Sequence, residues 1–409
     1  MGKTSATKSG IFSLAVFVSA LGYFVDVYDL LLFNIVRLPS LRDLGVAETD
    51  LFHTGIWIIN LQLIGLLVGG VLFGILGDKI GRTKLLFLSI FTYSLATLGC
   101  AFVQQVSTYA LLRFIAGIGL SGELGLAITL VTEILPLKKR GYGTTLIAGF
   151  APAGAVMAAM LAQILDWRTC YLIGSIMGFA LLFLRMQVKD SMIFLQQPKD
   201  KSRGNLRIFF GNWRRTARFV GCILIGMPVP YVMYMLAGFA PELTKSFGLL
   251  PVMTAAEAIL WGYIGFTLGD FAGGLLSQWL QSRRTALLSF MVFGFAASSY
   301  FLMTGYDHDK IWFQMFYCLL GLSVGCWTIV VTISAESFGT NLRATAATNA
   351  PNIARATFVP MSLIVAYLQP SIGILDSMLV LGIIVFTLTF ISAYLLSDTF
   401  HKDLDYAER

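Results

Sequence analysis

Charge is what this sequence has least of: Asp, Glu, Lys and Arg make up 12% of its 409 residues, while 57% are hydrophobic. A soluble globule carries about a quarter charged residues, so a protein surrounded by water is excluded and lipid must be the main solvent. Histidine is scarce too. His53, His308 and His401 lie scattered outside the apolar stretches, which argues against a membrane enzyme built on a metal cluster or a histidine base. The five cysteines (Cys100, Cys170, Cys222, Cys318, Cys326) contain no C-x-x-C pair, so neither a disulfide framework nor a metal site is indicated. There is no G-x-x-x-x-G-K-[ST] run. No nucleotide cofactor is therefore expected, and any pumping has to draw on an ion gradient. No large soluble stretch interrupts the chain, which argues against a receptor.

What is abundant is apolar sequence in membrane-length pieces. A spanning helix needs about 20 mainly apolar residues, and such stretches fall at 11–36, 54–77, 85–103, 108–134, 143–165, 169–187, 218–241, 255–281, 285–304, 311–335, 345–368 and 374–396. These lengths predict an all-α membrane protein with twelve transmembrane helices. A β-barrel would show alternating strands of about 10 residues instead. Cytoplasmic loops carry the excess of Lys and Arg, and with both termini cytoplasmic the inside segments hold 22, against five outside: Arg37, Arg42, Arg168, Lys245 and Lys310. The net charge of +7 follows from that bias, so membrane lipid rather than nucleic acid is the expected partner. The first stretch is too long for a signal-peptide core and no small-residue cleavage site follows it, so it is expected to stay. The expected setting is a bacterial cytoplasmic (inner) membrane, with the chain as a multi-pass monomer.

The longest polar stretch, 189–217, divides the chain into a six-helix bundle at 1–188 and a second at 218–409. Within it Ile208, Phe209, Phe210 and Trp213 interleave with Arg207, Arg214 and Arg215, the pattern either of an amphipathic helix on the membrane surface or of a plain basic linker. The halves echo each other. Glu133 precedes Arg140 by seven residues, as Glu336 precedes Arg343, at an offset of 203; Gly74-x-x-x-Asp78 is echoed by Gly274-x-x-x-Gln278, at an offset of 200. Each mark closes the matching helix of its half, as expected for a duplicated transporter bundle.

The loop Gly74-Ile-Leu-Gly77-Asp78-Lys79-Ile-Gly81-Arg82-Thr-Lys84 combines glycines that allow a tight turn with an acid able to pair with Arg or with a helix N-terminus. It resembles the signature loop of the major facilitator superfamily. Arg113-Phe-Ile-Ala-Gly117-Ile-Gly119, Glu133 to Gly141, and Ala335-Glu336-Ser-Phe-Gly-Thr-Asn-Leu-Arg343-Ala extend the resemblance over nearly the whole chain. It implies alternating access of two pseudo-symmetric halves, with Gly74, Asp78, Gly81, Arg82, Glu133, Arg140, Glu336 and Arg343 forming conformational latches. The second half departs from the pattern in carrying Gln278 where an acid is expected, so a charged latch is expected in the first half only.

Ionisable groups inside the membrane are costly and tend to be functional. Asp26 and Asp29 share one helix face; carboxylates this close resist double ionisation, which suits a proton carrier. Glu123, midway along the fourth span among glycines, is either a further proton site or the partner of a buried cation. Arg113, about one turn inside the same span, is placed to complement Asp26 or Asp29. In the second half Asp270 serves either substrate, proton or a polar neighbour. Asn349, Asn352 and Arg355 recur every three residues beside Pro351 and Pro360. Arg355 keeps its charge and offers a fork matched to carboxylate or phosphate, which makes it a candidate substrate anchor or a counter-ion for the acids. Tyr231, Tyr234 and Trp327 are candidate pocket aromatics.

Two subfamily resemblances compete. Asp26-Val-Tyr28-Asp29-Leu30 resembles the first helix of phosphate:proton symporters, and Gly122-Glu123-x-Gly125 the fourth helix of metabolite:proton symporters. Neither is complete, because Leu124 and Gly125 replace the aromatic residues both groups expect near this position. Sugar porters are less similar, since 222–240 lacks their Gln and Asn groups. The expected function is proton-coupled symport of a small organic anion or zwitterion, without cofactor or metal. Phosphate symport and proton-driven export of a small solute are the alternatives.

Overall fold

In lipid, an apolar segment satisfies its backbone by bonding along its own axis. The computed structural model, which describes residues 14–80, 82–123, 149–186, 211–306, 308–339 and 343–400, is helical accordingly, with no strand among the described residues. Its helices are α1 (Leu14–Asp43), α2 (Leu51–Ile80), α3 (Arg82–Cys100), α4 (Val106–Leu120), α5 (Pro152–Ile164), α6 (Trp167–Arg185), α7 (Trp213–Leu224), α8 (Ala240–Ser246), α9 (Ala255–Trp279), α10 (Arg283–Thr304), α11 (Lys310–Val324), α12 (Trp327–Glu336), α13 (Arg343–Ala356) and α14 (Phe358–Leu395). Eight segments among the described residues are long and apolar enough to cross a membrane, and three shorter apolar helices accompany them. Gly373, at φ 79°, breaks α14 where the sequence places the gap between its last two apolar stretches. The linker up to residue 210, with most of its expected surface helix, lies outside the described residues.

Polar residues fix where helices begin. Asp166 accepts from the Thr169 backbone N–H to start α6, Asp309 from Trp312 to start α11, and Thr254 with Glu257 forms a capping box on α9. Glycines fix how closely helices pack. A Cβ on Gly65 or Gly117 would run into the backbone of the facing helix across α2 and α4, and one on Gly265 or Gly321 would do the same across α9 and α11. The same pair of helices in each half is therefore held together by small residues, which adds a packing counterpart to the repeat seen in the latch motifs.

Three expected spans are not single regular helices, and of these 345–368 divides at Thr357 between α13 and α14. After α7 the chain passes through Pro228 and Pro230 into a π-helical turn, Tyr231–Leu236, and then α8; the prolines cannot donate to an α-helical ladder, and the wider turn absorbs the mismatch. The stretch 311–335 divides at Gly325 and Cys326, where the α9 backbone comes so close that a Cβ on Gly325 would meet the Phe266 carbonyl at 2.5 Å. Two arginines also lie elsewhere than expected. Arg37, counted as a loop residue, sits within α1 and is fully buried, and Arg185, counted among the inside charges, ends α6 and is 1% exposed. Both are paired inside the bundle, and because one came from each side of the count, the asymmetry behind the orientation survives.

Exposed side chains along the outer helix faces are largely apolar, among them Leu88, Ile176, Phe183, Leu275 and Val292, while Asp26, Asp29, Glu123, Arg113, Asn352 and Arg355 are buried. That is the distribution lipid requires.

Candidate functional site

The polar centre is built from α1 outward. Tyr23, Asp26 and Asp29 recur every three residues on one buried face, at 3%, 2% and 1% exposure. Asp29 is held through one carboxylate oxygen: Arg113 donates to Oδ1 from Nη1 at 3.2 Å and to the Asp29 backbone oxygen from Nη2 at 2.8 Å, and Thr97 donates to Oδ1 at 2.8 Å, while Oδ2 has no hydrogen-bond partner. Gln62 accepts from Arg113 Nε at 3.3 Å and donates to the Leu30 carbonyl, and the Tyr171 ring lies beneath the guanidinium. This knot ties α1, α2, α3 and α4 together.

Glu123 faces Arg185 at 3.6 Å, and Arg185 also donates to Ser19. The Glu123 carboxylate packs against Gly22, where a Cβ would overlap Oε1 and displace it.

Arg355 approaches the same region from α13. Its Nη2 donates to Tyr23 Oη at 2.6 Å and its Nη1 to Asn352 Oδ1 at 3.3 Å, while Trp327 and Tyr23 present their rings 5.2 and 5.9 Å from the guanidinium carbon. Asn352 in turn donates to the Ser121 carbonyl across the two halves. Arg113, Arg185 and Arg37 each lie in ion-pair contact with a carboxylate. Arg355 has no such partner among the described residues. Asp26 is the acid whose field acts alongside that of Arg355, beyond ion-pair contact, and its Oδ1 has no hydrogen-bond partner.

Of the other expected residues, Trp327 and Asn352 join this cluster, and Asn349 lies on the same helix near Gly70. Asp270 is taken up by Thr328, whose backbone N–H and hydroxyl donate to its two oxygens at 2.8 and 2.6 Å. Tyr231 donates to the Met378 carbonyl and packs on Phe386, so the structure does not bring it to Arg355; Tyr234, tilted against Phe358, is the closer ring. Of the latch, Gly74, Asp78, Gly81, Arg82, Glu133, Arg140 and Arg343 lie outside the residues whose side chains are described. Glu336 accepts from Thr399 at 2.7 Å and faces Arg283 at 3.7 Å, while Asp398 accepts from Ser282 and from the Arg283 backbone N–H. The residues following the last helix thus supply an acid to the second-half loop in which Gln278 had replaced one.

Sequence reasoning missed Tyr23, Arg185 and the Arg37–Glu242 pair, in which Arg37 Nη2 donates to Glu242 Oε1 at 2.6 Å between α1 and α8. A tyrosine in an apolar helix carries no pattern of its own; its spacing of three from Asp26 was the available signal.

A family model for the Major Facilitator Superfamily matches residues 12–350, and the chain belongs to that superfamily: it is a membrane transporter, not an enzyme. It is similar to the putative niacin/nicotinamide transporter NiaP of Bacillus subtilis, at 27% identity over 80% of this chain and 81% of the relative. It is also similar to the benzoate transport protein of Acinetobacter baylyi, at 21% identity over 81% and 78% of the two chains. Among solved structures, the inward open conformation of the xylose transporter XylE from E. coli superposes with a TM-score of 0.74 at 17% identity, over 97% of this chain and 98% of that one. That likeness bears on the fold alone.

Proposed function

We propose that this protein is a twelve-span, proton-coupled symporter of a small aromatic carboxylate, working by alternating access between halves 1–188 and 218–409 with both termini cytoplasmic. The observation that carries the proposal is a buried arginine, Arg355, held by a phenol and an amide rather than by a carboxylate. A buried guanidinium needs a counter-charge, and the carboxylate of a substrate supplies it. Trp327, Tyr23 and Tyr234 around that charge suit a planar ring, and Phe358 extends the apolar wall. The names of relatives that carry niacin or benzoate support an aromatic acid over phosphate, which has no use for such walls.

Coupling follows from Asp26. While it is ionised it competes as the counter-charge of Arg355; once protonated it leaves the guanidinium to the substrate anion. Proton and anion then bind together. Asp29 is already committed to Arg113 and Glu123 to Arg185, so Asp26 is the first candidate proton carrier and Glu123 the second.

The test is benzoate uptake in proteoliposomes with a trapped pH dye. Each charge-assisted hydrogen bond contributes about 1.5–3 kcal/mol, so Arg355→Gln is expected to raise KM at least about tenfold. Asp26→Asn is expected to retain exchange of labelled for unlabelled benzoate while losing proton-driven accumulation. Normal accumulation by Asp26→Asn would overturn the coupling scheme, and ligand stabilisation by neutral sugars alone would overturn the substrate class.

A further inference from the structure

The carboxylate of Glu242 uses only one arm of Arg37. Nη2 of this fully buried arginine donates to Glu242 and, at 3.4 Å, to the Gly238 carbonyl, while Nε and Nη1 have no hydrogen-bond partner. One helical turn earlier, Asn34 is 2% exposed and its amide oxygen and nitrogen are likewise without partners. Both side chains converge on Gly238, where a Cβ would overlap the Asn34 amide. The Phe239 ring lies 4.3 Å from the guanidinium carbon, and Phe52 packs edge-on against it at 5.3 Å. The stem of Arg37 is accommodated by Gly55, whose Cβ would meet Arg37 Cδ at 2.5 Å. Buried donors left unmade are costly, and here they form a fork, an amide and two aromatic walls at the end of the bundle that the charge pattern places outside.

We infer that Arg37 and Asn34 form a second, outer anion site, which takes the carboxylate of the incoming aromatic acid when the halves part, and that Glu242 replaces that carboxylate when they close. Glu242 reaches Arg37 from the other half of the chain, so its contact exists only in the closed arrangement. It acts as an internal substitute for the substrate's own carboxylate. The inference rests on the proposed transport of aromatic carboxylates and adds a separate site to it, distant from Arg355.

Benzoate transport in right-side-out and inverted membrane vesicles tests it. Arg37→Gln is expected to raise KM from the outer face by about tenfold or more and to leave KM from the cytoplasmic face within about twofold; the second value also shows that the variant is folded. Glu242→Gln, which removes the internal competitor, is expected to lower the outer KM. The exchanged pair Arg37→Glu with Glu242→Arg restores an ion pair but moves the anion binder to the wrong half, so its outer KM should stay high. Recovery of the wild-type outer KM by the exchanged pair, or equal effects of Arg37→Gln on both faces, would reduce Arg37 to a structural tie and overturn the inference while leaving the proposed function intact. Failure of the wild-type protein to carry benzoate from either face would remove both.

Discussion

The two acids of α1 differ in what surrounds them, and that difference makes them separable by experiment. Asp29 accepts from Thr97 and balances Arg113, so Asp29→Asn leaves a buried guanidinium uncompensated. Breaking such a pair from one side costs about 3–5 kcal/mol, and the variant is expected to show a sharply lower melting temperature or poor recovery from the membrane. Asp26, unlike Asp29, lies in no ion pair among the described residues, so Asp26→Asn should melt close to the wild type and fail only in coupling. Equal losses of stability in a thermal melt would refute this assignment. The sequence showed both acids on one face and Arg113 as a partner for one of them. It did not show which, because the choice depends on how deep Arg113, Gln62 and Thr97 sit across three neighbouring helices. Arg37 and Arg185 were misplaced for a related reason: a charge near the end of an apolar run marks the end of a span on hydropathy alone, whereas a facing Glu242 or Glu123 draws it inside.

At the level of elements, the starts of several spans were legible and interruptions were not. The caps at Asp166, Thr254 and Asp309 stand where the apolar runs begin, because carboxylates and hydroxyls satisfy the orphan N–H groups there. The break at Gly325 depends on the approach of Gly269 and Phe266 from another helix, which no local pattern records. The Asp166 cap gives a pH-dependent prediction. The Thr169 hydroxyl, and then its backbone N–H, hold the Asp166 carboxyl below its ordinary value. A carboxylate whose folded value is lowered stabilises the fold above its unfolded value of about 3.9 and loses that contribution as pH falls through the lowered one. Asp166→Ala should therefore cost about 1 kcal/mol at neutral pH. The gap between variant and wild type should narrow below about pH 4, read from chemical or thermal unfolding in detergent. A gap that stayed constant with pH would show that the cap does not depend on charge.

Across the whole molecule, the duplicated plan and its asymmetry have one consequence for energetics. The repeat was legible from the latch spacings, and the glycine pairs on α2–α4 and α9–α11 extend it. The placement of Asp26, Asp29 and Glu123 in the first half and of the Asn–Arg stripe in the second was legible as well, and all of these side chains are buried. What the sequence could not show is that three buried arginines are already paired, Arg113 with Asp29, Arg185 with Glu123 and Arg37 with Glu242, whereas Arg355 and Asp26 lie in no ion pair among the described residues. If one proton neutralises Asp26 for each carboxylate that Arg355 takes up, the charge inside the bundle is the same loaded and empty, and the loaded carrier moves no net charge across the bilayer. Benzoate uptake should then rise when the outside is made more acidic, yet hold the same rate when a potassium diffusion potential is imposed with valinomycin. An inside-negative potential that speeds uptake several-fold would mean that a second proton accompanies each anion. Glu123, whose pairing with Arg185 is the longest of the three at 3.6 Å, would then be the group to replace first, and Glu123→Gln should abolish the voltage response while sparing the response to pH.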